Sequence, residues 1–126
     1  MAEKIKSVRD LKAYQIAFRC AMEVFSITKE FPAEERYSLT DQIRRASRAV
    51  CSNLSESWRK RRHRKVFVNT LSDAMSEAAE TQTWLEFSLS CGYIDQSSFD
   101  RLHGEYEGII GMLNMMECKA DKFCFA

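Results

Sequence analysis

Proline occurs once in 126 residues and glycine four times, so little in this chain would interrupt a helix or force a turn. Long unbroken elements follow from that shortage. No apolar run approaches the roughly 18 residues that a membrane-crossing helix requires, and Met1-Ala2-Glu3-Lys4 does not open a signal peptide. A cytoplasmic location is expected. No Cys-x-x-Cys pair is present. The five cysteines, Cys20, Cys51, Cys91, Cys118 and Cys124, are odd in number and scattered, which argues for reduced thiols that pack as small apolar residues. Cys124, near the tail, is the one expected to be exposed. Net charge is also small, +1. With 45% hydrophobic and 29% charged residues, the composition suits a single folded domain over residues 1–126.

What the sequence does contain is helical periodicity. Over residues 8–31 one stripe comprises Leu11, Tyr14, Phe18, Ala21 and Phe25. A second comprises Ala13, Ile16, Ala17, Cys20, Val24, Ile27 and Phe31, about 120° further round. A bundle helix needs one such face, so the spare one predicts contact with another copy of the chain through Ile16, Cys20, Val24 and Ile27. Phe31-Pro32 ends this helix. Glu34 and Glu35 suit the positive end of the next, over 35–60, with Leu39, Ile43, Ala46, Val50 and Leu54 inward. Another face of that helix carries Arg44, Arg48, Ser55, Arg59 and Arg62, an arginine stripe on which Asp41 and Arg45 form a candidate i, i+4 pair. A third helix, 65–91, turns Phe67, Leu71, Ala74, Ala78, Thr81, Leu85 and Ser88 inward. Trp84, Phe87 and Cys91 fall off that stripe, and Trp84 and Phe87 are assigned to the oligomer contact. Gly92 occupies the place of a left-handed C-terminal cap and Asp95 that of an N-cap. The fourth helix, 96–119, buries Phe99, Leu102, Tyr106, Ile109, Leu113 and Met116. Connections this short make neighbours antiparallel, so the fold class is all-α, an up-down-up-down four-helix bundle.

That topology decides the electrostatics. Arg59, Lys60, Arg61, Arg62, Arg64 and Lys65 surround His63 at the junction of helices two and three. The chain start and the end of helix four fall at the same end of the bundle. Twelve cations gather there, Lys4, Lys6, Arg9, Lys12, Lys119 and Lys122 joining the six of the junction, against Glu3, Asp10, Glu56, Glu117 and Asp121. The end carries +7 and the rest of the chain −6. Such a cluster neutralises phosphates without regard to sequence. Arg44, Arg48, Arg59, Lys60, Arg61, Arg62, Arg64 and Lys65 are the candidate nucleic-acid contacts, with Trp58 or His63 available to stack on an unpaired base.

Enzymatic readings find little support. A di-iron bundle needs inward carboxylates and two Glu-x-x-His pairs, whereas this chain has one Asp100-x-x-His103 and apolar inward positions. Cys51 has no histidine placed to act as its base. Asp73, Glu77 and Glu80 read as a charged flank facing neighbouring arginines, and Asn53 and Glu56 as anchors of the end of helix two. No catalytic residue, metal or cofactor is expected.

Several segments resemble the four-helix-bundle family first met as proteins encoded in intervening sequences of bacterial 23S ribosomal RNA genes. Asp10-Leu11-Lys12-Ala13-Tyr14-Gln15 is similar to its opening, and Phe31-Pro32 with Glu35-Arg36-Tyr37-Ser38-Leu39 and Gln42-Ile43-Arg44-Arg45-Ala46 to its second helix. Asn53-Leu54-Ser55-Glu56 resembles its Asn-Ile-Ala-Glu. Glu80-Thr81-Gln82-Thr83-Trp84-Leu85, Cys91-Gly92-Tyr93-Ile94 and Ile110-Gly111-Met112-Leu113-Asn114 resemble the later helices. The resemblance implies a homopentameric ring and kinship with the basic accessory proteins of diversity-generating retroelements, which bind a reverse transcriptase and nucleic acid. It supplies no catalytic residues. Ser57 and Arg59 stand where the family usually has glycines, so helix two is free to run on into the basic segment. The expectation is a non-enzymatic homo-oligomer that offers a basic surface to RNA or DNA, or alternatively a protein-interaction scaffold for a partner such as a reverse transcriptase.

Overall fold

The computed structural model describes residues 5–125. A 3-10 turn at Val8–Asp10 precedes α1 (Lys12–Thr28), and a second at Ala33–Glu35 precedes α2 (Leu39–Arg59). Then come α3 (Arg64–Ser90), α4 (Gln96–Cys118) and a final turn of helix, α5 (Ala120–Phe123).

Bonds between helices fix the register. Arg44 Nε donates to Thr28 Oγ1 at 2.7 Å (α2 to α1), and Arg45 Nη2 reaches Glu80 Oε1 at 3.1 Å (α2 to α3). Gln82 Nε2 donates to the His103 carbonyl at 3.2 Å, and Ser72 Oγ to Glu117 Oε2 at 3.3 Å (α3 to α4). Arg19 Nη2 meets Glu105 Oε1 at 2.7 Å, and Arg101 Nη1 meets Glu23 Oε1 at 2.7 Å (α1 to α4). Across α3–α4 and α1–α4 the residue numbers run in opposite directions, and the short connections on either side of α2 fold it back against both α1 and α3, so neighbours are antiparallel and the four long helices close a bundle in chain order. The exposed ion pairs add little stability; their content is the register. Arg45 reaches across to α3 instead of pairing with Asp41 on its own helix.

The inward positions read from the sequence form the core, except Phe99, which is only half-buried near the start of α4. Ile43, Ala46, Val50 and Leu54 of α2, Phe67, Leu71, Ala74, Ala78 and Leu85 of α3, and Leu102, Tyr106, Ile109 and Leu113 of α4 are all fully buried. Buried hydroxyls close onto carbonyls of their own helix, as Thr81 Oγ1 does on Glu77 (2.8 Å) and Ser88 Oγ on Trp84 (2.8 Å).

Helix ends depart from the expected bounds for local reasons. Ser7 Oγ accepts the Arg9 N–H at 3.2 Å, and Asp10 Oδ2 accepts the N–H groups of Lys6 (2.9 Å) and Ser7 (3.2 Å). This capping box closes a turn of its own. Leu11 is extended (φ −72°, ψ 128°), which separates that turn from α1. After Pro32 the chain makes only a 3-10 turn, so α2 starts at Leu39 and not near residue 35. α2 ends at Arg59 despite the missing glycines and does not run through the basic segment. The Lys60 N–H bonds the carbonyls of both Glu56 (3.2 Å) and Ser57 (3.0 Å), and Lys60 leaves the helical region at φ −101°, ψ 18°. α3 ends in a Schellman motif. Gly92 takes φ 79°, its N–H bonds the Leu89 carbonyl at 3.0 Å, and the Tyr93 N–H bonds that of Ser88 at 2.9 Å. Asp95 Oδ1 caps α4 through the Ser98 N–H at 2.7 Å.

Glu35 ties this pole together. Its carboxylate accepts Ser38 Oγ (2.6 Å), the Leu39 N–H (3.3 Å) and Tyr93 Oη (2.9 Å). The Ser38 bond first, then that of Tyr93, holds the carboxyl below its ordinary 4.5. The same bond pushes the Tyr93 phenol up to about 12 from 10.0. A carboxyl lowered on folding contributes stability above pH 4.5 that is lost as pH falls through its folded value. A phenol raised on folding contributes stability below pH 10.0 that is lost as pH climbs to about 12. Thermal melts of the wild type and Tyr93→Phe should therefore converge between pH 10.0 and about 12. Melting curves separated by a constant interval across that window would show that the bond is not formed.

Candidate nucleic-acid interface

Opposite that pole, the 60–63 turn, the first 3-10 turn and α5 meet. Phe123 packs between Trp58 (centroids 6.3 Å apart, edge-on) and the fully buried Phe67 (6.2 Å, stacked), which fixes the C-terminal segment beneath the turn. The Phe125 N–H bonds the Arg61 carbonyl at 3.2 Å, and Arg64 pairs with Asp121. Lys6 and Arg9 line one recess with Arg59 and Arg61. Glu3 and Lys4 lie outside the described residues. Without them, eleven cations face four acids at this pole, and the net charge there is still +7.

The candidate contacts divide into two groups. Arg59, Lys60, Arg62 and Lys65 are exposed, and among the described residues their side chains make no hydrogen bond or ion pair. Arg61 is committed to the fold. Its guanidinium lies 3.7 Å from the Trp58 ring centroid and 4.8 Å from that of Phe125, and its Nε donates to the Trp58 carbonyl at 2.8 Å. Burial lowers its pKa first, and the neighbouring Arg59 charge adds to that. Arg64 is shared with Asp121. Arg44 is tied to Thr28 and sits 4.7 Å over the Phe25 ring, while the exposed Arg48 lies 5.7 Å from the same ring. On the outer side of α2, Arg36, Arg44, Arg45 and Arg48 line a groove of about 580 Å³ with Thr40, Ser52 and one carboxylate, Asp41. The arginine stripe thus has a concave surface, to which Arg36 and Arg45 add cations the periodicity did not single out. A further groove of about 620 Å³ runs beside Arg64 and Lys65 between α3 and α4.

Trp58 does not serve as a stacking platform. It is 7% exposed, with Arg61 over its face and Phe123 at its edge. His63 is exposed at the N-terminus of α3. The open ring at this pole is Phe125, 57% exposed. Sequence reasoning missed it because it lies beyond the last heptad, where no periodicity remains to place a ring. Cys124 packs against the core instead of standing exposed, and Cys91 and Cys118 are the exposed thiols.

The proposed contact face between copies needs a similar correction. Cys20 and Val24 are fully buried within the protomer, so neither offers surface to another chain. The smaller side chains of α1 (Ala13, Ala17, Cys20, Val24) face the core, where they let the helix approach its neighbours, and the bulky ones stay outside. Phe18 (52% exposed) and Met22 (53%) edge an α1–α2 groove of about 380 Å³; Ile16 and Ile27 are half-buried. Phe87 (53% exposed) and the half-buried Trp84, whose Nε1 has no hydrogen-bond partner among the described residues, edge a second groove of about 450 Å³ on the α3 side of α2.

Groups considered for catalysis have structural surroundings. Burial raises both buried thiols, Cys51 to about 11. The Cys20 thiol donates to Glu105 Oε2 at 2.8 Å, which raises it further. Asp100 accepts from Gln96, and the His103 ring lies 5.1 Å from Phe99. Burial, then the adjacent Glu80 carboxylate, raises the Glu77 carboxyl, with Arg45 opposing. Asn53 and Glu56 make no side-chain hydrogen bond among the described residues, so backbone bonds alone end α2. No group of three or more His, Cys, Asp or Glu among the described residues is placed to hold a metal ion. None of the described helices is long and apolar enough to cross a membrane.

The molecule is thus an antiparallel four-helix bundle with a basic pole. The profile of the 23S rRNA-intervening sequence protein family matches residues 9–115, and the chain belongs to that family. Among solved structures it is similar to a protein of unknown function from the S23 ribosomal protein family of Bacteroides thetaiotaomicron. That match has 22% identity, a TM-score of 0.74, and covers 83% of this chain and 94% of the other; it shows the shared fold. No curated protein matches the chain.

Proposed function

We propose that the protein is a non-enzymatic, self-associating module that presents its basic pole and the arginine groove of α2 to RNA or DNA. The observation that carries this is the segregation of charge. A chain of net +1 holds +7 at one pole, and apart from Arg61 and Arg64 the side chains of the nine described cations there extend into solvent with no hydrogen-bond or ion-pair partner among the described residues. Holding unpaired like charges together costs stability, which a bound polyanion offsets. Self-association is supported by the two apolar grooves, one on each side of α2. Joining one groove to the other in a neighbouring copy is a head-to-tail contact, the kind that closes rings, and the family resemblance favours five copies. Side-by-side copies add their basic poles.

Those same grooves support a second reading, in which the oligomer holds a protein partner, such as a reverse transcriptase, without touching nucleic acid. Native mass spectrometry with a short RNA and a short DNA decides between them. The expected species is a multiple of 14.6 kDa carrying nucleic acid, with the bound fraction falling steeply as salt rises. An oligomer that never carries nucleic acid would favour the scaffold. A free 14.6 kDa protomer would reject self-association.

A further inference from the structure

We propose that the recess between the first 3-10 turn, the end of α2 and the C-terminal segment is a subsite for the phosphorylated end of a single nucleic-acid strand. This rests on the nucleic-acid reading above and deepens it. The recess, about 380 Å³, is lined by four cations, Lys6, Arg9, Arg59 and Arg61, and, among the described residues, by no carboxylate. The nearby Asp10 carboxylate is turned to the backbone N–H groups of Lys6 and Ser7. A terminal phosphate carries about −1.5 to −2 charges at neutral pH, against −1 for an internal phosphodiester, so a cluster this dense discriminates in favour of an end. Ser55 also lines the recess, and its hydroxyl makes no hydrogen bond among the described residues, which leaves it free to donate to a phosphate oxygen.

The aromatic content points the same way. Trp58, Arg61 and Phe125 form a continuous stack, and the half-exposed Phe125 ring is its outer end. A base laid on Phe125 extends that stack by one layer while its own phosphate reaches the cations. A base inside a duplex already has neighbours on both faces, and the terminal pair of a duplex brings a second strand that a recess of about 380 Å³ has no room for, so an unpaired terminal base is the one that fits. The volume is at the lower end of the range of small-molecule sites and suits one nucleotide, not a duplex.

The test is a fluorescence-anisotropy titration of the full chain with one short single strand in three forms: 5′-phosphorylated, 3′-phosphorylated, and hydroxyl at both ends. At least one phosphorylated form should bind about tenfold tighter than the hydroxyl form. Arg9→Gln should erase most of that preference, because it removes one of the cations that meets the terminal phosphate, whereas Phe125→Ala should weaken the phosphorylated and hydroxyl forms alike by removing the ring on which the base stacks. The Arg9 side chain is exposed and makes no contact that holds the fold, so Arg9→Gln remains informative if Phe125→Ala loosens the tail. Equal affinity for all three strands would overturn the subsite and leave general polyanion binding standing. Failure of the wild type to bind any strand would overturn both.

Discussion

Replacing Arg59, Lys60, Arg62 and Lys65 together by glutamine should weaken nucleic-acid binding by about a hundredfold near physiological salt and leave the melting temperature almost unchanged. These four were chosen by what they do not do: all are exposed, and among the described residues none is bonded to another side chain. Exposed substitutions of this kind change stability by about 0.5 kcal/mol or less each, and removing mutual repulsion works in the stabilising direction. Binding should respond differently. Each phosphate neutralised contributes about 0.7 to 0.9 to the slope of log affinity against log salt, so losing four should flatten that slope by about 3. Arg61→Gln gives the opposite pattern. It removes a cation held between Trp58 and Phe125, so thermal stability should drop more than affinity. Anisotropy titrations over a salt series, paired with thermal melts, separate the two cases. An unchanged slope in the fourfold variant would place the binding surface elsewhere.

Phe67→Ala should be the most damaging single change beneath the interface, costing about 3–5 kcal/mol. The ring is fully buried at the start of α3 and stacks on Phe123. Its removal leaves a cavity under the basic turn and frees one side of α5. For a domain between the size classes usually tabulated, that loss corresponds to a melting temperature lower by about 10–25 °C. Phe67→Leu, which keeps much of the volume, should recover most of it. A shift of only a few degrees for the alanine variant, read by circular dichroism, would mean that the C-terminal segment is not supported from below as the structure has it.

The four-helix plan was legible in the sequence because the apolar spacing of α2, α3 and α4 is clean and each has one wide face. α1 was harder. It carries two apolar stripes, and spacing alone does not say which faces the core: the stripe assigned to another copy holds Cys20 and Val24, which are buried within the protomer because close helix approach needs small side chains, while Phe18 and Met22 are left at the surface. The concentration of charge at one pole was legible, since it needs only antiparallel order and short connections. The division of labour among the arginines was not. Whether a guanidinium is free or held depends on side chains distant in sequence: Arg61 is held by Phe125 and Arg44 by Thr28. Spacing along one helix carries no record of such contacts. The final turn of helix went unread for a related reason, since four residues are too few to show a period.

Lys6 and Phe125 both lie at the pole that bears the arginine-rich turn, while the turn containing Tyr93 lies at the other. Any polypeptide fused to either end, an affinity tag included, leaves the bundle beside the proposed binding surface and competes with ligands for it. Attachment within the 91–95 connection points cargo the opposite way, and that is where a label or surface tether belongs.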